Sequence, residues 1–494
     1  MKLSELTSTL SGLVSGPERD IFVRGVVHDS RRCRPGDLFV AIPGTRLDGH
    51  RFIPDAVAAG AVAVVAQAGH DVPSVEVPVV VVRDSRRALA ELAAAFWGWP
   101  SRELRVVGVT GTNGKTTTSM LIASIAQTAG LRAAALGTLG LQRDGQIVAT
   151  QHTTLEAPDL QRILAELVAD GFDLVAMEVS SHGLALDRTW QTYFDVGVLT
   201  NITHDHLDFH ASFEDYAAAK ARLFLDYPEL SAPYKTMRGA VNLDDDAARG
   251  IARRARCEVV GFGISSDEAA VRAEEIDIGR RETRFSLVMP AGRFEVTIQL
   301  VGSFNVENAL AAAAAAVAMG IEPEAIVQGL AAARPAPGRM ERVEAGQPFL
   351  VLVDYAHTPD ALAKILREAR RLTEGRLICV FGCGGDRDPA KRPVMGRIAT
   401  QAADWTVITS DNPRSEDPMA IIDQIVAGAV GENYEVVPDR RQAIRRAISL
   451  AGANDTVVIA GKGHETYQIL ADRTIHFDDR EEAQAAIEAL SRGG

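Results

Sequence analysis

Short apolar runs bounded by polar or glycine-bearing turns recur along the whole chain, and between them apolar residues return at helical spacing. Residues 1 to about 98 hold the runs IFVRGVVHDS, GDLFVAI, AVAVVAQ and VPVVVVR, followed by the helical pattern RRALAELAAAFWGW. They predict a small α/β unit. From about Ser101 strand and helix patterns alternate, and FDLVAMEVS and FDVGVLTNI read as strands buried on both faces, which predicts a mostly parallel sheet. The alanine run 309–318 reads as helix, and the Pro/Gly cluster ARPAPGRMERV places a boundary near residue 336. Beyond it PFLVLVDYAH, RLICVFGCGG, ADWTVITSD and DTVVIAGKGH predict a second doubly wound, Rossmann-like α/β layer. The expected fold class is α/β in three domains, 1–98, 99–335 and 336–494.

Composition changes this picture little. A chain of 494 residues, 47% hydrophobic and 24% charged, can bury more than one core. The net charge of -13 leaves no basic footprint for nucleic acid, so an anionic substrate must be held by local arginines and lysines. The start MKLSELTSTLSGL lacks the blocks of a signal peptide, and apolar runs such as Ala56 to Ala66 are too short to span a bilayer. No membrane insertion and a cytosolic location are expected. Cys33, Cys257, Cys379 and Cys383 show no CxxC spacing and are expected to be reduced, buried thiols.

The chemistry begins at GVTGTNGKTTT, Gly108 to Thr118, which follows the strand pattern LRVVGV and precedes the helix pattern SMLIASIAQTAG. A glycine-rich turn between strand and helix points backbone N–H groups at anionic oxygens, and the helix N-terminus favours negative charge. Lys115 can reach β- and γ-phosphates, and the Thr116 hydroxyl suits Mg²⁺. Val109 stands where the usual spacing has its first glycine, so the loop is a shortened one, Gly111, Thr112, Asn113, Gly114, Lys115, Thr116 and Thr117.

Further polar clusters sit at the carboxyl ends of predicted strands, where open α/β sheets bind ligands. MEVSSHGL supplies Glu178, Ser180 and His182, and TNITHDHLDFH supplies His204, Asp205, His206 and Asp208. Each histidine alone reads equally as a structural residue, and HDHLDFH is also compatible with zinc, although a phosphate loop favours Mg²⁺ on hard oxygens. Lys220, in the helix pattern FEDYAAAKARLF, reads from its pattern as a solvated lysine.

Together with VHDSRRCRPGDLFVAIPG, TTLEAPDL, GSFNVEN, PGRMERV, DYAHTPD, GCGGDRDPAKRP, DNPR and GKGHETYQ, these strings make the chain resemble the Mur ligases, ATP-dependent amide-forming enzymes of peptidoglycan precursor synthesis, over essentially its whole length. Folate-directed amide ligases share the plan but typically read GTNGKGS at the phosphate loop and lack DNPR. The resemblance is strongest to the branch that adds the third residue to UDP-N-acetylmuramoyl-L-alanyl-D-glutamate.

The resemblance implies that the N-terminal domain binds UDP through Ser30 and the Gly44 to Leu47 turn with Thr45 and Arg46, and that Thr153, Thr154, Ser180 and Arg188 hold the sugar-peptide. It makes Thr116, Glu178, His206 and a carbamylated Lys220 the Mg²⁺ ligands, with Lys115, Lys220 and His206 catalytic. Asn305, Arg339, Asp354 and His357 match the ATP site, and Arg387, Asp411, Asn412, Pro413, Arg414, Gly461 and Glu465 match the site of the added amino acid. The implied reaction has the D-glutamyl γ-carboxylate attack ATP to give an acyl phosphate, on which the amine then acts. His357 is a candidate base or equally a structural contact at the ATP site. Because meso-2,6-diaminopimelate carries a far carboxylate that L-lysine lacks, Arg414 and Arg387 favour diaminopimelate, with L-lysine as the alternative. A monomer is expected. A P-loop switch or regulatory ATPase would share the cradle without needing DNPR and GKGHE, and a metal hydrolase on HDHLDFH would not need the cradle.

Overall fold

The computed structural model describes residues 1–44, 47–203 and 209–492, and the chain folds as two compact units. The first comprises Met1–Glu274, Leu287–Phe294 and Glu307–Leu330; the second comprises Glu275–Ser286, Glu295–Val306 and Ala331–Gly494.

The first unit begins with a sheet in the order Leu13–Ser15, Val79–Val82, Ala63–Gln67, Asp37–Val40, Gly25–Val27, parallel except for the antiparallel edge Leu13–Ser15. Asp84 caps the helix Ser85–Phe96 by accepting from the N–H groups of Arg86 and Arg87. Leu89 and Leu92 of that helix pack on Leu38, Val40, Val65 and Val80.

Its second sheet has a parallel body in the order Ala133–Gly137, Leu174–Glu178, Arg105–Thr110, Val196–Leu199, Arg238–Asn242, Val259–Gly263. A hairpin, Gly140–Arg143 and Gln146–Val148, extends it antiparallel beside Ala133–Gly137. Strands such as Leu174–Glu178 and Val196–Leu199 are buried at every position, as a parallel sheet covered on both faces requires. The alanine run is helical within Ser303–Ala318.

The second unit contains a six-stranded sheet in the order Glu341–Arg342, Leu350–Asp354, Thr456–Ala460, Leu377–Phe381, Trp405–Ile408, Tyr434–Val436, parallel except at Glu341–Arg342. Alternate residues feed two cores. Leu352, Cys379 and Phe381 meet the helices Pro359–Leu372, Lys391–Ala402 and Pro418–Val426 through Leu366, Met395 and Ile422. Val351, Ile378 and Val380 meet Arg440–Leu450 and Asp479–Arg492 through Ile444, Ile448 and Ile487. This two-sided covering is the doubly wound layer expected from the sequence.

All four cysteines are free, but only Cys379 and Cys383 are buried; Cys33 and Cys257 are half-buried, which corrects the expectation for those two. Burial pushes the Cys379 and Cys383 thiols up to about 12, so they remain protonated.

Candidate active site

The buried strand Arg105–Thr110 ends at the phosphate loop, and the helix Lys115–Thr128 follows. Gly111 and Gly114 have φ of 144° and 87°, and a Cβ on either would collide with Thr200 Oγ1 or Asn308 Oδ1, respectively, so both positions exclude a side chain. Asn201 pins the loop: its carbonyl and its Oδ1 accept from the N–H groups of Thr112 and Asn113, each at 2.9 Å. The first-turn amides of the helix have no i−4 carbonyls, which leaves donors at the positive end of its dipole. Asn113 Nδ2 is buried with no hydrogen-bond partner among the described residues. Lys115 Nζ donates to the carbonyls of Gly111 and Thr112 at 2.9 and 2.8 Å, folding over its own loop.

Lys220 donates to the same Gly111 carbonyl at 2.8 Å. It is 1% exposed, on the inner face of the helix Phe213–Leu225 with Tyr216, Leu223 and Phe224, so the solvated lysine expected from its pattern is corrected. His206 lies outside the described residues, as do His204, Asp205 and Asp208, and likewise Thr45 and Arg46.

Glu178, 2% exposed, ends the strand paired with Arg105–Thr110. Its Oε1 accepts from Thr116 Oγ1 and from the N–H of Thr138, both at 2.8 Å, and its Oε2 accepts from Thr138 Oγ1 at 3.1 Å. A hydroxyl and a carboxylate meeting beside a phosphate loop form a hard-oxygen donor set that fits Mg²⁺. Thr138, missed in the sequence, also lies 3.1 Å from Thr153 Oγ1.

Thr154 links this strand end to the next loop. Its hydroxyl donates to the Glu178 carbonyl at 3.0 Å and accepts from Ser180 N–H at 2.9 Å, while its carbonyl accepts from Arg188 at 3.0 Å. Ser180 Oγ caps the short helix Ser181–Ala185 by accepting from Gly183 N–H. Arg188 pairs with Glu156 at 2.8 Å, yet its Nε is buried without a partner among the described residues.

In the N-terminal sheet Ser30 opens a 3₁₀ turn, and Gly44 N–H donates to the Leu47 carbonyl at 3.0 Å; Leu47 itself is 61% exposed. Asp48 follows and accepts from His50 Nδ1 at 2.6 Å and His70 Nδ1 at 3.0 Å. Burial pushes the Asp48 carboxyl up, but the bonds from His50 and His70 outweigh it and hold the group well below the usual carboxylate range. His50 Nε2 accepts from Gln67 N–H at 2.9 Å. A metal on Nδ1 would therefore require an imidazolate, so the Asp48–His50–His70 cluster reads as a brace behind the turn rather than a metal centre.

In the second unit Arg339 lies 4.8 Å over the Tyr355 ring, with its Nε buried and unpartnered among the described residues. Asp354 Oδ2 accepts from Met340 N–H at 2.8 Å, and burial pushes its carboxyl up against the pull of Arg339. His357 Nδ1 lies 2.8 Å from the Tyr355 carbonyl. Asn305 Nδ2 donates to the Val301 carbonyl at 2.8 Å. Tyr355 also touches His464, at 4.9 Å between ring centroids, so the residues matched to ATP adjoin the GKGHE loop.

Among the residues that the resemblance matches to the added amino acid, Arg414 Nη1 donates to the Gly385 carbonyl at 2.8 Å. A Cβ on Gly384 would stand 2.9 Å from Arg414 Nη1 and 3.8 Å from Arg387 Cγ, so both arginine side chains border this glycine. Pro413 is buried and Arg414 is half-buried in the left-handed region at φ 53°, a loop held in place rather than a free surface turn. Sequence reasoning missed what holds it. The guanidinium of Arg392, 1% exposed, makes a bidentate pair with Glu416 at 2.8 Å and reaches the Gly384 carbonyl at 3.2 Å. Arg440 and Asp479 form a fully buried pair at 2.7 Å, and Arg440 Nη2 donates to the Ala460 carbonyl at 3.0 Å, beside Gly461. Asp411 Oδ1 accepts from Asn412 N–H at 2.6 Å, and Asn412 Nδ2 donates to Glu465 Oε2 at 2.8 Å.

Comparison with known proteins bears on all of these regions. Residues 22–97 match the Mur ligase family catalytic domain, 109–316 the Mur ligase middle domain, and 338–463 the Mur ligase glutamate ligase domain. The chain is 46% identical over 496 residues to the UDP-N-acetylmuramoyl-L-alanyl-D-glutamate--2,6-diaminopimelate ligase of Gloeobacter violaceus, covering 100% of this chain and 99% of that protein. It is 42% identical over 487 residues to the Bacillus cereus protein of the same name, covering 99% and 98%. A solved ligase of that name superposes with a TM-score of 0.71 at 34% identity over 99% of both chains. A MurF ligase from Thermotoga maritima, crystallised with ADP, shares the fold at TM-score 0.65 and 19% identity, over 96% of this chain and 99% of that one.

Proposed function

The chain belongs to the Mur ligase family, and from this premise we infer that it is the ATP-dependent ligase that joins meso-2,6-diaminopimelate to UDP-N-acetylmuramoyl-L-alanyl-D-glutamate in peptidoglycan precursor synthesis. The observation that carries this is full-length identity of 42–46% to relatives bearing that activity in their names.

The chemistry is a problem of charge. The D-glutamyl γ-carboxylate must attack the γ-phosphate of ATP, and both are anions. In our reading Lys115 exchanges its loop carbonyls for phosphate oxygens, and the amides from Gly114 to Thr117 take the remaining charge. Thr116, Glu178, His206 and a carbamylated Lys220 would hold Mg²⁺, which lowers the repulsion between the two reactants when bound. Thr153, Thr154, Ser180 and Arg188 orient the sugar-peptide, and Ser30 with the Gly44 to Leu47 turn holds UDP; the orphaned Arg188 Nε supports the first assignment. Attack gives an acyl phosphate and ADP. Asn305, Arg339, Asp354 and His357 hold the nucleotide, and the orphaned Arg339 Nε supports that. The neutral amine of diaminopimelate then adds to the acyl carbon, and phosphate leaves. Arg387, Asp411, Asn412, Pro413, Arg414, Gly461 and Glu465 select this amine; the Arg414 guanidinium beside Gly384, with the Arg387 side chain bordering the same glycine, supports a carboxylate there.

The divisions 1–98, 99–335 and 336–494 serve as UDP-binding, ATP-binding and amino-acid-binding domains, supported by the three matched family spans. Among the described residues no helix is long and apolar enough to cross a membrane. With nucleotide-linked substrates, this supports a cytoplasmic enzyme, which we take to act as a monomer without nucleic acid. Sustained, multiple-turnover ADP release that needs both the UDP-dipeptide and diaminopimelate is the expected result. Release of equal size with ATP alone would contradict a ligase.

A further inference from the structure

Lys462 stands just beyond the strand Thr456–Ala460, and its side chain is 0% exposed. A buried ammonium is costly unless paired. Its Nζ donates to Glu465 Oε2 at 3.1 Å and to Asn412 Oδ1 at 3.2 Å. The same Oδ1 accepts from Ile469 N–H at 2.9 Å. Two donors on that atom fix the amide orientation, because an NH₂ group there would meet donors only. The opposite end of the amide is then the NH₂ group, which donates to Glu465 Oε2 at 2.8 Å.

Glu465 Oε2 thus accepts from both neighbours, and the carboxylate is half-buried, 15% exposed. Arg414 lies across the same loops, with Asn412 between it and Glu465. The far end of diaminopimelate is an α-amino acid, an ammonium beside a carboxylate, and it needs an anionic acceptor and a cationic donor held at a fixed separation.

We propose that Lys462 is a specificity-determining positioning residue for this far end. It touches no ligand atom; its ammonium orients the Asn412 amide and the Glu465 carboxylate so that Glu465 takes the far ammonium while Arg414 takes the far carboxylate. Without that ammonium Glu465 Oε2 loses its ion pair and one of its two donors, and the carboxylate is free to turn away. The inference rests on diaminopimelate being the amino-acid substrate.

The test compares meso-diaminopimelate with 2-aminopimelate, the same chain without the far amino group, in steady-state assays of wild type, Lys462→Met and Lys462→Gln, with thermal melting as the fold control. In Lys462→Met the KM for diaminopimelate should rise by ~10–100-fold, while the KM values for 2-aminopimelate, ATP and the UDP-dipeptide change by about twofold or less. Lys462→Gln retains a donor for Asn412 and should fall between the two. Equal losses for diaminopimelate and 2-aminopimelate, or an unchanged KM for diaminopimelate, would overturn the proposal. A wild-type enzyme that rejects diaminopimelate but couples another amino acid would instead overturn the substrate assignment on which it rests.

Discussion

Lys115 and Lys220 donate to one acceptor, the carbonyl oxygen of Gly111, at 2.9 and 2.8 Å. Unmodified, the pair sets two ammoniums at one oxygen of the phosphate loop; carbamylation of Lys220 would turn one of them into an anionic metal ligand and leave Lys115 as the cation for a nucleotide phosphate. The pair therefore yields a test of each lysine.

Lys115→Ala should leave melting nearly unchanged, because the half-buried side chain folds back on carbonyls of its own loop. It should lower turnover by ~3 kcal/mol, roughly 100-fold or more, as removal of one electrostatic stabiliser does. Steady-state ADP release checks this, and near-normal turnover would remove Lys115 from the phosphate site.

Lys220→Ala should be almost inactive if the lysine is carbamylated, and partly rescued by added acetate or formate, which can supply the missing oxygen ligand. Activity against carboxylate concentration measures it. High activity without any additive would exclude the modified lysine as a required group.

The Arg414→Ala variant should lose diaminopimelate use by ~100-fold or more while the KM for ATP stays within about twofold, since a guanidinium paired to a carboxylate contributes several kcal/mol of discrimination. The guanidinium bonds the Gly385 carbonyl, so a melting curve separates loop collapse from loss of recognition.

Burial, with Arg339 and Arg480 nearby, pushes His464 from 6.5 down to about 4. The unfolded chain takes up this proton below 6.5 and the folded one does not, so the stability is present above 6.5 and is lost as pH falls toward 4. The loss is on the order of 3 kcal/mol. The Arg392 pair holds Glu416 down from 4.5 to about 2, so its contribution is lost only at still lower pH, from 4.5 toward 2. Melting temperatures between pH 8 and 4 should fall for wild type and fall less for His464→Asn. Parallel curves for the two would contradict this.

The sequence made the strand–helix alternation legible because parallel strands buried on both faces are continuous apolar runs, as at Leu174–Glu178. The edge strand Leu13–Ser15 is exposed throughout and carried no such signal. The glycine turn between the strand Arg105–Thr110 and the helix Lys115–Thr128 was legible because it is a local object. Lys220 was misread from its pattern because three alanines and a lysine look solvated until the neighbouring elements cover them; only the family likeness corrected it. Thr138, Arg392 and Lys462 were missed for a common reason: their partners Glu178, Glu416 and Asn412 are distant in sequence, and only the fold brings them together.

Mass spectrometry of the product formed from ATP, UDP-N-acetylmuramoyl-L-alanyl-D-glutamate and an equal mixture of meso-diaminopimelate and L-lysine tests the central claim most directly. The mass should be that of the diaminopimelate adduct almost alone, because in the proposed site lysine would leave Arg414 and Arg387 without a carboxylate partner. Comparable amounts of the lysine adduct would contradict the assignment.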